Sequence, residues 1–229
     1  DDNEEGSLPT IVDVEKTSKI TQPSKPLFHK YNEKNDSDEY YVEGDAKLIP
    51  KAENEKNSYH RSIFDAITKA KDGDTVTFCR DTTKTVVIDK PIDLGNKAIT
   101  LDGAGRTLSL GKKFTGSAGI IAGANVKVEN VTVNADGIDY GIVLNGAEST
   151  VEKVTVIGAN TAAIKAQGKV TMTGEISNGN KKGVIVELVS ADSKLDLSGA
   201  TLKCDDYERG APPAVKAPQS AFGKIKENP

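Results

Sequence analysis

The chain has 229 residues, 34 of them acidic and 30 basic, a formal net charge of −4, 36% hydrophobic content and no tryptophan. That length supports one substantial core, and no apolar run approaches the about 20 residues that a membrane-spanning helix takes. Charge is uneven: residues 1–58 hold fourteen acids against eight bases, while the remainder is near neutral without a basic stripe, which argues against nucleic acid as a partner.

In chain order, residues 1–58 lack sustained periodicity and read as an acidic, largely flexible extension, unstructured to about Tyr40. Tyr41-Val42 and Lys47-Leu48-Ile49 are able to add a short edge strand. A helix is expected over about 62–71. Ile63, Phe64, Ala66, Ile67 and Ala70 share one stripe, Ser62 and Asp65 form a capping arrangement, and Gly73 suits a left-handed C-terminal stop. Strands follow at Thr75–Cys79, Thr85–Ile88 and Ala98–Leu101. Asp102-Gly-Ala-Gly-Arg-Thr107 reads as a turn before Leu108-Ser-Leu110, and not as a phosphate loop, because no helix follows to receive an anion.

From Gly119 to Cys204 the sequence repeats about every 22 residues. The apolar runs start at Gly119, Gly141, Ala162 and Gly183, and Glu129–Val133 (ENVTV) returns as Glu152–Val156 (EKVTV). Within each copy Val, Ile and Leu alternate with polar residues, as in Val131-Thr132-Val133 and Leu195-Asp196-Leu197, and no helical stretch intervenes. Coiling every copy the same way, each strand parallel to its equivalent, satisfies the backbone and explains why the copies look alike. The expected fold is all-β: a right-handed, single-stranded parallel β-helix, or solenoid, over 59–204 with a short N-terminal capping α-helix. Residues 205–229 are a proline-rich tail, expected to fold back at least in part over the last coil, whose strand edges would otherwise stand open. Cys79 and Cys204 fall several coils apart, at about 4.8 Å per coil. That exceeds the Cα separation of about 7 Å that a disulfide tolerates.

The run SIFDAITKAKDGDTVTF, followed by KPIDLGNKAITLDGAGRTLSL, resembles the opening of pectin-lyase-like β-helix proteins, in which a helix plugs the first coil. The resemblance extends over roughly Tyr59 to Cys204. It implies a secreted or cell-surface protein, bacterial and carbohydrate-related, in a superfamily that includes polysaccharide lyases, glycoside hydrolases and non-catalytic adhesive domains. No leader segment opens the chain, so either one has been removed or the protein never carried one, and the resemblance favours the first.

Few residues carry chemistry. His29 and His60, the only histidines, both precede the repeat, so no His-based triad or metal centre can be built within it. The Asn-Thr-Asp, Gly-His-Gly and Arg-Ile-Lys motifs of polygalacturonase-type hydrolases are missing from the body, and Asp205-Asp206 lies past the last strand. No catalytic residue is assigned. Lyases of this fold hold calcium with carboxylates from successive coils and use an Arg or Lys as base. Glu129 and Glu152 occupy equivalent positions of neighbouring coils, with Lys127 and Lys153 close in sequence, but two carboxylates do not supply six to eight oxygen ligands, and a solvated Glu/Lys ladder is the plainer reading. Asp136, Asp139 and Tyr140 form a second group, on a turn between coils where a ligand could be met. Glu129, Glu152, Lys153, Asp136, Asp139 and Tyr140 are therefore the candidate binding residues.

The function expected is a non-catalytic extracellular or cell-surface module that binds a glycan or a surface protein, without membrane insertion. The alternatives are a lyase or hydrolase acting on acidic polysaccharide, with calcium only in the lyase case, and a spacer within a longer surface protein. No other metal or cofactor is expected.

Overall fold

The computed structural model describes residues 27–32, 37–42, 46–60, 62–79, 84–179, 183–204 and 213–226. Among the described residues no helix is long and apolar enough to cross a membrane. The chain opens with strands β1 (Leu27–Asn32) and β2 (Ser37–Val42), then β3 (Ala46–Ile49), β4 (Ser58–His60) and helix α1 (Ile63–Lys69). A first, partial coil comprises β5 (Thr75–Phe78), β6 (Thr85–Ile88) and β7 (Ile92–Asp93). Each later coil pairs a long strand with a short one: β8 (Thr100–Leu110) with β9 (Ala118–Ala122), β10 (Lys127–Asn134) with β11 (Tyr140–Leu144), and β12 (Glu148–Ile157) with β13 (Ala162–Ala166). The pattern continues through β14 (Lys169–Asn178) with β15 (Val184–Leu188) and β16 (Lys194–Cys204) with β17 (Val215–Lys216), and ends in β18 (Ile225–Lys226).

These strands form a parallel β-solenoid of about five turns. One sheet runs β18-β16-β14-β12-β10-β8-β5-β3-β4, and the other β17-β15-β13-β11-β9-β7. Alternation decides which side chains face inward. Val76, Leu101, Val128, Val151 and Met172 stack in register on the first sheet, and Ile92, Ile120, Ile142, Ile164 and Val186 on the second, all fully buried.

The long strands β8, β10, β12 and β14 each serve two walls by bending where a residue takes a left-handed conformation: Ala104 and Gly105 in β8, Asn130 in β10, Lys153 in β12 and Gly174 in β14. Asp102–Thr107, expected as a turn between two strands, is such a bend inside the single strand β8. Its Asp102 carboxylate accepts from the Ala104 N–H at 2.9 Å, holding the corner as an Asx turn would. The register of the short strands also differs from the expected one. Ala162 lies opposite Tyr140 rather than Gly141, and opposite Val184 rather than Gly183. Side-chain volume explains the glycines: a Cβ at Gly141 would stand 2.5 Å from Val156 Cγ2, and one at Gly119 would stand 2.6 Å from Val133 Cγ1.

The ends are closed by different devices. At the N-terminal end, β3 lies antiparallel to both β5 and β4, and α1 buries Ile63, Ala66 and Ile67 against the first coil. Phe64, expected on the buried stripe, is only partly covered, because it projects beside that stripe. Ser62 caps the helix, its Oγ accepting from the Asp65 N–H at 3.2 Å. The helix stops at Ala70 in extended conformation, not at Gly73; the ammonium of Lys97 donates to the Ile67 and Thr68 carbonyls at 2.6 and 2.7 Å and so closes its last turn. Gly73, with φ of 91°, instead makes the turn into β5. Within the expected extension, β1 and β2 pair antiparallel as a hairpin, so the segment is not without structure up to Tyr40; residues 1–26 lie outside the described residues. At the C-terminal end β17 pairs with β15 and β18 with β16, and Ala221 between them is fully buried. The tail thus continues the coil, as the open edge required. Strands β5 and β16 are five ladder steps apart, roughly 24 Å, which separates Cys79 from Cys204.

Candidate functional site

Among the described residues, the outer surface of the first sheet carries a regular arrangement of charge. Because every coil presents its residues in register, one outward position recurs as Thr77, Asp102, Glu129, Glu152 and Thr173, and the position two residues earlier as Thr75, Thr100, Lys127, Thr150 and Thr171. Three carboxylates therefore stand on consecutive coils about 4.8 Å apart. Like charges at that spacing repel unless each finds a partner.

Each does. The ammonium of Lys127 lies 2.6 Å from Glu129 Oε2 and 2.8 Å from Glu152 Oε2, bridging two coils. Asp102 is held by uncharged donors: Thr77 Oγ1 at 3.2 Å and Asn130 Nδ2 at 3.2 Å, besides the Ala104 N–H. Lys153 stands farther from Glu152, at 3.9 Å, and is largely exposed. The same pairing continues at the rim of the sheet, where Lys169 meets Glu148 at 2.6 Å, and toward the last coil, where Asp196 is held by Ser198 and faces Lys226 at 3.5 Å. Hydrogen bonding to Lys127, then its charge, holds the Glu152 carboxyl below its ordinary range. Reciprocally, the hydrogen bonds to Glu129 and Glu152 push the Lys127 ammonium above the usual lysine range.

Of the sequence-derived candidates, the structure brings together Glu129, Glu152 and Lys153. Asp136, Asp139 and Tyr140 lie elsewhere, on the corner leading into the second sheet. Asp136 and Asp139 are exposed; Gly137 there has φ of 88°, and the Asp139 carbonyl accepts from the Thr161 and Ala162 N–H groups at 2.9 and 3.1 Å. Tyr140 is half-buried at the start of β11, and the ammonium of Lys165 sits 4.7 Å from the centre of its ring. One face of that ring is thus already occupied by a cation. The group reads as a turn with a cation–π contact, separate from the ladder. Two members of the ladder escaped the sequence reading. In the sequence Lys127 is only a neighbour of Glu129, and Asp102 is hidden because β8 has extra residues at its bend, which displaces Asp102 from the repeat that links Glu129 to Glu152. Among the described residues no three His, Cys, Asp or Glu side chains stand together in a way that could hold a metal ion.

A second outward column lies beyond the bend. Thr107, Thr132 and Thr155 are in register on β8, β10 and β12, while the next position, Ser177 of β14, is buried. The hydroxyls of Thr107, Thr132 and Thr155 make no hydrogen bond among the described residues. The two columns give the flank a periodic surface of ion pairs and free hydroxyls. Compared with protein-family models, curated proteins and solved structures, the chain has no match in any of the three, so the fold rests on its own strand register.

Proposed function

We propose that the chain is a non-catalytic β-helix module of a secreted or cell-surface protein, laying the outer flank of its coils against an extended glycan. The observation that carries this reading is the placement of Lys127 between Glu129 and Glu152. A lyase needs a basic side chain ready to accept a proton, and a glycosidase needs a carboxylic acid that keeps one near neutral pH. Here the displacements run the other way: Lys127 holds its proton more tightly and Glu152 gives its proton up more readily. Such a ladder stabilises and displays charge without moving protons. The opening motif's likeness to pectin-lyase-like proteins fits a carbohydrate partner, and the Thr107, Thr132 and Thr155 hydroxyls offer a polymer the same donor and acceptor once per coil.

Retention of the protein on a panel of immobilised neutral and uronic-acid polysaccharides tests this reading. Binding to at least one, weakened by the double substitution Thr132→Ala and Thr155→Ala without a change in melting, supports it. Unsaturated-product absorbance on incubation with uronic-acid polymers, with or without calcium, would establish a lyase instead.

A further inference from the structure

Away from both columns, a cleft of about 380 Å³ opens between α1 and the edge of the second sheet. Phe64 and Ile67 of the helix, Pro91 before β7 and Ile121 of β9 make its apolar walls, and Lys90 and Asp93 stand among them. Its size falls within the range of about 300–1,000 Å³ that small-molecule sites occupy.

The walls are held in place. Ile67 is part of the core, and Lys97 ties the carbonyls at the end of α1 to the turn after β7. On the second sheet, Ile92 and Asp93 pair with Ile120 and Ile121 in the ladder. A cleft framed this way does not need to order its backbone when something enters, and that lowers the entropy lost on binding.

Its polar groups select the occupant. The Lys90 ammonium sits 4.6 Å from the centre of the Phe64 ring, and among the described residues it has no carboxylate partner. Asp93, whose Oδ1 accepts from the Gly95 N–H at 2.8 Å, keeps its own charge at the edge of the cleft but does not pair with Lys90, which leaves that ammonium open to an incoming anion. An unpaired cation beside an aromatic and aliphatic wall matches a molecule with an apolar body and one negative charge. We propose that this cleft binds a small apolar carboxylate, its body against Phe64, Ile67 and Ile121 and its carboxylate on Lys90. The inference does not depend on the glycan-binding reading, since the two surfaces share no residue.

The probe is phenylacetate, with 2-phenylacetamide as its uncharged equivalent, titrated into the full chain carrying labelled isoleucine methyl groups and followed by NMR. The expected result is a saturable shift of the Ile67 and Ile121 methyls by phenylacetate in the millimolar range. Lys90→Gln should weaken that binding about fivefold, the upper end for one exposed ion pair, and leave the weaker amide binding unchanged. Ile121→Ala should weaken acid and amide alike. Melting curves of both variants establish that they fold. No saturable shift in the parent chain, equal affinity for acid and amide, or unaltered phenylacetate binding by a folded Lys90→Gln protein would each overturn the proposal.

Discussion

Lys127 and Glu152 lie on neighbouring coils, 2.8 Å apart at their charged atoms, although 25 residues separate them in sequence. The contact exists because Lys127 is registered with Thr150 and Glu129 with Glu152, so a lysine two residues before one glutamate can reach both. The contact sets one cation between two carboxylates and so screens their mutual repulsion, and this arrangement sets the behaviour of the flank.

Removing that cation by Lys127→Met should change how stability depends on pH. In the parent chain the lowered pKa of Glu152 contributes stability that is fully present above the unfolded carboxylate value and is lost as pH falls through the folded one. In the variant, Glu129 and Glu152 repel, so acidification toward the carboxylate range should first raise the melting temperature. Added salt should do the same near neutral pH. Identical pH profiles for the two proteins would show that the bridge has no energetic role.

His60 predicts a second pH dependence, at the N-terminal end. It is buried in β4, its Nε2 2.8 Å from Ser58 Oγ, and burial first, then the charge of Lys69, push its pKa below the ordinary 6.5. The folded state therefore binds this proton less readily than the unfolded state does. Its stability is complete above pH 6.5 and declines as pH falls from there toward the lower folded value. His60→Gln should flatten that part of the profile, as melting curves between about pH 8 and pH 5 would reveal. A decline of the same steepness in the variant would assign it to other groups.

The register of β12 is tested by adjacent substitutions. Val154 is fully buried and paired with Val131 and Ile176, while Thr155 faces outward. Val154→Asp should cost several kcal/mol by burying an unpaired carboxylate, and Thr155→Asp should stay within about 1 kcal/mol of the parent. Chemical denaturation measures both. Comparable losses at the two positions would contradict the inward and outward assignment.

Backbone conformation makes a fourth prediction. Lys153 has φ of 50°, in the column where Asn130 also takes a left-handed conformation and where Gly174 serves the next coil. An L-residue with a long side chain is held there against a preference of about 1–2 kcal/mol, so Lys153→Gly should stabilise the chain by about 0.5–1 kcal/mol. Lys153→Ala keeps the Cβ and should give no such gain. Equal effects of the two substitutions would mean that the side chain, and not the backbone, sets the energy at this corner.

The parallel solenoid was legible in the sequence because its cause is local and periodic. In Val131-Thr132-Val133 and Val154-Thr155-Val156 the alternation identifies the buried face, and the likeness of the two copies gives the stacking partner, so the equivalence of Glu129 and Glu152 followed directly. The Ser62 cap was equally legible, since a hydroxyl three residues before Asp65 acts within one turn. What the sequence left open depends on contacts between coils. The left-handed bend at Lys153 has no composition signal, because the neighbouring strands impose it on a residue that would not choose it. Gly141 faces Val156, and that crowding, not the apparent start of each copy, decides the register of the second sheet. Asp102 joins the carboxylate ladder only because extra residues are absorbed at the bend of β8. The cleft beside α1 likewise joins Phe64 and Ile67 to Lys90 and Ile121, drawn together when the helix seats on the first coil. Sequence determined the repeating backbone path because strand alternation is a property of neighbours along the chain; tertiary structure decided which charges meet and where a cleft remains, because those depend on distances across coils that no single copy contains.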